Sequence, residues 1–555
     1  MGAAQPSGGD PVGGGSLTRP AARVVPNVPT FSVDAGFWYA IPEHLMGSVA
    51  LGSVVRAPLS GRRVRGWVVE IADRPAERLK EISGVSGAVP VFDKDLAQSL
   101  LWAAQHYVAP VAAVLAKASP PNLPRGRGSA PAASVQVSEG GHPLATTATS
   151  SAVGKRVPVT AVVGRWQDLD WLESLAPVLS AGRSAMVLAA TSAEVVAIHA
   201  RAKRVYGERA LAVSADDDAE LTGRWEQAQA PGHLVIGTPR LALWQVADLS
   251  LTVVLEEGRR AMKDRQTPTI HVRDLVRTRS RVEGFNTVFF GPTPSVELLA
   301  AGAAVVPAAR RPWGLVEVVD RSGERPGSGL LSDQVLAALR ATVADAGEKA
   351  FILTGHRTAP RLVDEINTRV GAGASAVYPG KSIVMVGTER DMAGLEPVSL
   401  VVAANADALL MGTGYRAAEE ALRQLARLGN MLRAGRGRRM MIQTESPGSD
   451  LVQTLRRGNP IPYLERVLVD RARAGLPPST EMIAIEVRGD SPQGIEDEIA
   501  GLGASEVFGP MAMEDGRRWL LAGSLTNVRK DLREYAGRWR EKGATIRIDA
   551  DPIDF

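Results

Sequence analysis

Between residues 158 and 445, short apolar runs alternate with segments of helical spacing, and this alternation constrains the fold more than any other feature. The runs 159–163, 185–189, 210–214, 234–237, 251–255 and 287–290 are almost wholly apolar. They lack the polar alternation of a strand with one wet face, which marks strands buried on both sides. One intervening helix opens with Thr191-Ser192-Ala193-Glu194, the spacing of a capping box. A second series of strands is expected at 350–354, 383–387 and 399–403. Strands alternating with helices predict parallel α/β layers, one lobe over 158–310 and another over 311–445.

The flanks read differently. Residues 1–24 are rich in Gly, Pro, Ala and Ser and predict a disordered tail, and 123–157 predict a linker of the same character. Between them, residues 25–122 carry short strands around Phe37, Val54 and Val68, then a helix at 95–107, a small β-rich domain. Residues 446–460 are turn-rich. Beyond them the order helix, strand, helix, strand, strand, helix, strand predicts a small α+β domain, placed at 446–555. The chain has 555 residues, no Cys and seven His. Disulfides, thiolate zinc sites and Cys nucleophiles are therefore excluded. With neither an apolar signal segment nor a membrane-length apolar run, a cytoplasmic location is expected. Of 64 cations, 10 are Lys and 54 Arg, against 60 acids, giving a net charge of +4. So small an excess does not establish nucleic-acid binding, and local clusters must carry that case.

The sharpest cluster is Arg62, Arg63 and Arg65, which follow a Ser60-Gly61 turn. Phe37-Trp38-Tyr39-Ala40-Ile41-Pro42, then Gly52-Ser53-Val54-Val55-Arg56-Ala57-Pro58, then the basic turn running into Gly66-Trp67-Val68-Val69 form a colinear set. His233 to Trp244, Thr293-Pro294-Ser295-Val296-Glu297, the stretch 465–478 and Arg547-Ile548-Asp549-Ala550-Asp551-Pro552 extend it. Together they resemble the PriA family of bacterial replication-restart helicases, in the degenerate form found in actinobacteria. The resemblance implies a multidomain α/β protein: a β-rich N-terminal domain that binds a 3′ DNA end, two degenerate RecA-like parallel helicase lobes, and a small α+β C-terminal domain.

The resemblance fails where the family does its chemistry. A phosphate cradle with Lys and a Ser/Thr metal ligand would come directly after the first lobe strand, but Gly164-Arg165-Trp166-Gln167-Asp168 stands there. The family's D-E-E-H corresponds to Leu255-Glu256-Glu257-Gly258. Gly164, Glu256 and Glu257 are thus the remains of a nucleotide site, the two acids expected on a solvated loop. His271 is expected to be structural. Met431 and Ala434 replace both arginines of the family's Q-V-A-G-R-A-G-R, with Arg433 and Arg436 nearby. The inserted zinc domain and the winged-helix module are missing.

What remains is DNA binding through Phe37, Trp38, Ser60, Gly61, Arg62, Arg63, Arg65 and Lys80, in which aromatics stack on bases and cations meet phosphates. Trp38 stands where the family has Asp, so a carboxylate acceptor for a terminal 3′-OH is lost. No catalytic residue, metal or cofactor is expected. The implied role is a primosome component for replication restart, bound to forked or single-stranded DNA and to single-stranded DNA-binding protein and other replisome proteins, at the nucleoid and without a membrane. Two alternatives stay open. One is a 3′–5′ helicase with a cryptic site for ATP and magnesium, and the other a scaffold that no longer binds DNA.

Overall fold

The computed structural model describes every residue except 1–17, 76–78, 124–158, 215–216, 309–310, 326, 413, 434, 436 and 490–492. The expected linker therefore lies almost wholly outside the described residues, as do Ala434, Arg436 and most of the expected tail.

The chain opens on an antiparallel five-stranded sheet of β1 (Thr18–Pro26), β2 (Phe37–Ala40), β3 (Val54–Leu59), β4 (Arg62–Pro75) and β5 (Gly84–Ser86), in the order β2-β1-β4-β3-β5. β1 corrects the sequence reading, because its first seven residues fall in the expected tail. Ala21 and Ala22, on its two faces, are both fully buried, but Ala among Arg and Pro gives no hydrophobic period to detect. Ser60 and Gly61 join β3 to β4, with φ of 46° and 80°, as a two-residue hairpin turn of mirror-image type requires. One face of the sheet packs Val24, Tyr39, Val55, Ala57 and Val68 into a small core. The other face sets Val25, Val54 and Trp67 against α1 (Lys94–His106) and α2 (Val111–Ala118). The Asp93 side chain accepts from the Leu96 backbone N–H and caps α1.

The first lobe is a seven-stranded sheet of β6 (Val159–Val163), β7 (Ser184–Leu188), β8 (Ala210–Val213), β9 (Leu234–Gly237), β10 (Leu249–Leu255), β11 (Asn286–Gly291) and β12 (Ala304–Pro307). Its order is β12-β6-β11-β10-β7-β9-β8, with every pairing parallel. Its helices include α3 (Ser192–Tyr206), α4 (Val272–Glu283) and α5 (Val296–Ala300). The expected capping box is present at the start of α3.

The second lobe is also all parallel, with β13 (Leu315–Asp320), β14 (Ala350–Leu353), β15 (Ser375–Val377), β16 (Val384–Gly387), β17 (Leu400–Ala403) and β18 (Arg439–Thr444) in the order β13-β18-β17-β14-β16-β15. Its crossovers include α6 (Ala359–Arg369) and α7 (Ala417–Asn430). The stretch 446–460 is not all turn, since α8 (Asp450–Arg457) occupies it and buries Leu451, Val452 and Leu455 on the lobe core. Eight residues between a Ser-Pro-Gly-Ser turn and a Gly-Asn-Pro stop are too few to show a helical period in the sequence.

The chain ends with α9 (Ile461–Arg473), β19 (Glu481–Arg488), α10 (Ile495–Ala500), β20 (Glu506–Met513), β21 (Gly516–Gly523), α11 (Thr526–Glu541) and β22 (Thr545–Ala550), in the order expected from sequence. The antiparallel sheet is ordered β20-β21-β19-β22. One continuous apolar core runs from Leu96 of α1 through Trp244 and Leu275 of the first lobe to Trp519 and Trp539 of this last domain. The multidomain α/β class is therefore the one predicted.

Candidate nucleic-acid interface and interlobe seam

The register of the first sheet decides which expected DNA-binding residues share a face. Phe37 pairs with Val24, and Val24 with Val68, while Trp38 pairs with Arg23, which shares its face of β1 with Val25, the partner of Trp67 across a register shift between Arg23 and Val24. Side chains alternate across a strand. Phe37, Val68 and Arg62 therefore lie on one face, and Trp38, Arg63 and Arg65 on the other. Arg56 pairs directly with Arg65, so Arg56, Arg63 and Arg65 form a three-guanidinium patch beyond Trp67. All three are exposed, and none forms an ion pair among the described residues. Like charges set directly opposite one another repel, which an anion bound across them would relieve.

Phe37 is 40% exposed. Trp38 is half-buried under the Arg74 guanidinium, 4.2 Å from the ring, so it is neither core packing nor an open stacking platform. Lys80 is exposed, and its carbonyl accepts from the Ala40 backbone N–H at 2.9 Å; this places it at the far end of β2 from Phe37. Arg56 and Arg74 were missed from sequence. Arg56 is one cation amid apolar neighbours and becomes visible only through its cross-strand partner.

The remnant nucleotide site is organised quite differently. Gly164 closes β6, its N–H donating to Gly291 O at 2.9 Å. A Cβ there would come within 2.4 Å of the Ala308 methyl, so this glycine serves packing. Leu255 is buried in the core of the first lobe. Glu256 and Glu257, expected on a solvated loop, are only 3% and 2% exposed. The expectation fails because each meets protein cations. Glu256, held in the left-handed region at φ 48°, accepts from the Trp166 indole at 2.9 Å. Its second oxygen lies 3.5 Å from Arg259 and 3.4 Å from Arg427. Glu194, besides capping α3, accepts from Arg259 and Arg427 at 2.7 and 2.8 Å. Arg427, on α7, also lies 3.5 Å from Glu389, which accepts from Arg423 at 2.7 Å.

Carboxylates of the first lobe are therefore neutralised jointly by Arg259 of their own lobe and Arg427 of the second. Burial alone would raise the Glu256 carboxyl, but Arg427 and Arg259 outweigh it and hold it low. Arg165 adds backbone bonds across the same seam, to the carbonyls of Asn430 and Leu432 at 3.2 and 2.5 Å. This arrangement does not suit a magnesium nucleotide. The strand-end carboxylate of Glu256 is already countered by two guanidiniums and bonded by an indole, and Trp166 fills the space after Gly164.

A second cluster repeats the pattern. Glu297 of α5 accepts from Arg416 at 2.5 Å and from Arg471 of α9 at 3.1 Å, and Arg471 also donates to Glu419 at 2.5 Å. Glu257 accepts from the Ser295 N–H at 2.8 Å, but its other oxygen is buried without a hydrogen bond. Burial pushes its carboxyl up to about 7, despite Arg273. His271 is indeed structural, its Nδ1 accepting from the Arg273 N–H and capping α4.

Residues 23–120 match the family model of the PriA 3′DNA-binding domain (3′BD). The chain is PriA-like. It is 29% identical over 202 residues to the replication restart protein PriA of Haemophilus influenzae, covering 32% of this chain and 28% of that one. With PriA of Bacillus subtilis it is 32% identical over 78 residues, covering 14% and 10%. The matched stretches thus span less than a third of either relative. Among solved structures it is similar to RecG bound to a three-way DNA junction (TM-score 0.38, 14% identity, 59% of this chain and 45% of that chain). It is also similar to S. cerevisiae Dbp5 bound to RNA and ADP BeF3 (TM-score 0.37, 11% identity, 59% and 88%). For this PriA-like chain the assignment of two parallel lobes rests on the strand order itself.

Proposed function

We propose that this PriA-like protein is a primosome component that binds forked or single-stranded DNA at stalled forks and presents it to replication proteins without unwinding it. The observation that carries the reading is the match of residues 23–120 to a 3′DNA-binding domain, on a sheet that exposes Arg56, Arg63 and Arg65 without ion pairs. In this reading the three guanidiniums contact phosphates, while Trp38, on their face and released from Arg74, stacks on an unpaired base. Lys80 supplies a further cation beside β2, and Ser60 and Gly61 let the hairpin tip approach the backbone. Arg62, on the other face, contributes little.

The absence of unwinding is supported by the seam. A helicase cycles its lobes around a nucleotide, whereas here Glu194 and Glu256 on one lobe share Arg427 of the other. No cofactor enters the proposal, and its partners are DNA, single-stranded DNA-binding protein and replisome proteins at the nucleoid.

The test is fluorescence anisotropy with a labelled fork, paired with an ATPase assay on the same protein. Binding tighter than about 10⁻⁶ M, the tight end of non-specific affinity, without hydrolysis is the expected result. DNA-stimulated turnover above about 1 s⁻¹ would instead favour a cryptic helicase. No fork binding would leave a protein-interaction scaffold.

A further inference from the structure

The second lobe holds a cavity of about 890 Å³, within the range of roughly 300–1,000 Å³ typical of small-molecule sites. It opens over the carboxyl ends of β14 and β17, which are hydrogen-bonded neighbours. From β14 the chain crosses through α6 to β15, beyond β16, and from β17 it crosses through α7 to β18 on the opposite side. The two crossovers leave in opposite directions, so the strand ends part into a crevice. In open α/β sheets such reversals are where ligands bind.

The lining gives the ligand class. Arg361 of α6 and Arg325 of the loop after β13 both line the cavity, and neither has an ion pair among the described residues. Asp407, beyond β17, lines it too. Its two oxygens accept from Thr444 Oγ1 at 2.7 Å and the Glu445 N–H at 2.8 Å. That fixes the carboxylate while leaving lone pairs for a hydroxyl donor. Leu330 and Leu409 add half-buried apolar surface. A simple anion would be repelled by Asp407 and a bare cation by the arginines. A ligand with an anionic group, hydroxyl donors and a flat apolar part satisfies all of them.

We propose that this cavity binds a nucleoside monophosphate, its phosphate on Arg361 and Arg325, its ribose hydroxyls on Asp407 and its base against Leu330 and Leu409. Glu389 lines the same cavity and accepts from Arg423 at the seam, so the ligand sits beside the contacts that join the lobes.

The test uses the full chain and titrates each common ribonucleoside 5′-monophosphate by calorimetry, with the parent nucleosides, inorganic phosphate and a short oligothymidylate as separate arms. At least one monophosphate should bind with a Kd of about 1 mM or tighter, and its nucleoside and inorganic phosphate about tenfold more weakly (about 1.4 kcal/mol). Arg361→Ala and Asp407→Asn should each weaken it at least about tenfold, and Arg361→Ala, at an exposed position, should leave the melting temperature and fork-DNA binding unchanged. The proposal is overturned if no monophosphate binds, if binding survives Arg361→Ala, or if oligothymidylate displaces the monophosphate. A failure here leaves fork binding by the N-terminal sheet unaffected, so the two readings stand or fall separately.

Discussion

Replacing Arg427 with Met isolates what the seam contributes. The Arg427 side chain is 2% exposed and lies 2.8 Å from Glu194, 3.4 Å from Glu256 and 3.5 Å from Glu389. Without it, Glu389 keeps Arg423 at 2.7 Å, but Glu194 and Glu256 must share Arg259, at 2.7 and 3.5 Å. Met fills most of the vacated volume, so the cavity penalty is small. The dominant effect is a buried carboxylate left short of countercharge, which costs about 3–5 kcal/mol. That is a large fraction of a typical stability of roughly 5–15 kcal/mol. Because these ion pairs cross between lobes, urea unfolding monitored by circular dichroism should resolve into two transitions. Amide exchange should accelerate first in α7. Adding Glu194→Gln to Arg427→Met should restore part of the stability, since one uncompensated charge disappears. A loss below about 1 kcal/mol (the range of a surface pair), with one transition and no relief from Glu194→Gln, would refute the claim that this network holds the lobes together.

The same geometry sets three further outcomes. Alanine at Arg56, Arg63 or Arg65 should weaken fork binding and flatten its salt dependence by roughly 0.7 to 0.9 units for each phosphate no longer neutralised, whereas Arg62→Ala should leave the slope unchanged; anisotropy titrations at several salt concentrations measure both. Trp38→Ala should cost about 1–3 kcal/mol on substrates with a free single-stranded end and little on blunt duplex. Glu257 keeps its proton in the folded state up to about pH 7 but releases it near 4.5 when unfolded. Its contribution is therefore fully present below about pH 4.5 and lost as pH rises through 7, and Glu257→Gln should flatten the melting temperature across that window.

The central strands of both lobes were legible because burial on two faces leaves uninterrupted apolar runs, whereas β12, β13, β15 and β18 were not read. The core strands at 159–163 and 234–237 could be read almost to the residue. β1 was not legible, since Ala21 and Ala22, buried on its two faces, carry no hydrophobic contrast with their neighbours. α8 was hidden by its shortness between breakers. Among the candidate residues, the basic cluster could be found by composition, and the two-residue period of β4 sets Arg62 apart from Arg63 and Arg65. Which aromatic joins which face comes from the pairing of Phe37 with Val24 and of Val25 with Trp67, and no local pattern encodes it. Glu256 and Glu257 were misread because acids at a strand end are normally wet. What buries them is Arg259, Arg273 and Arg427, and the last of these comes from the other lobe.

The same arginines bear on what the chain's abundance of Arg means. Arg209, Arg259, Arg273, Arg279, Arg423, Arg427, Arg471 and Arg529 are all buried. Most of them meet carboxylates: Arg279 forks onto Glu283 one turn along its own helix, Arg529 meets Glu481 within the last domain, and Arg427 and Arg471 reach carboxylates of the first lobe from outside it. A guanidinium suits that position better than an ammonium, because it stays charged on burial and satisfies two carboxylate oxygens at once. High Arg content therefore serves largely internal cohesion and is no measure of a DNA-binding surface. The cations that matter for phosphate are those the fold leaves both exposed and without a carboxylate. On the N-terminal sheet Arg56, Arg63 and Arg65 meet that condition on a single face, which is why the interface is assigned to that face of the hairpin.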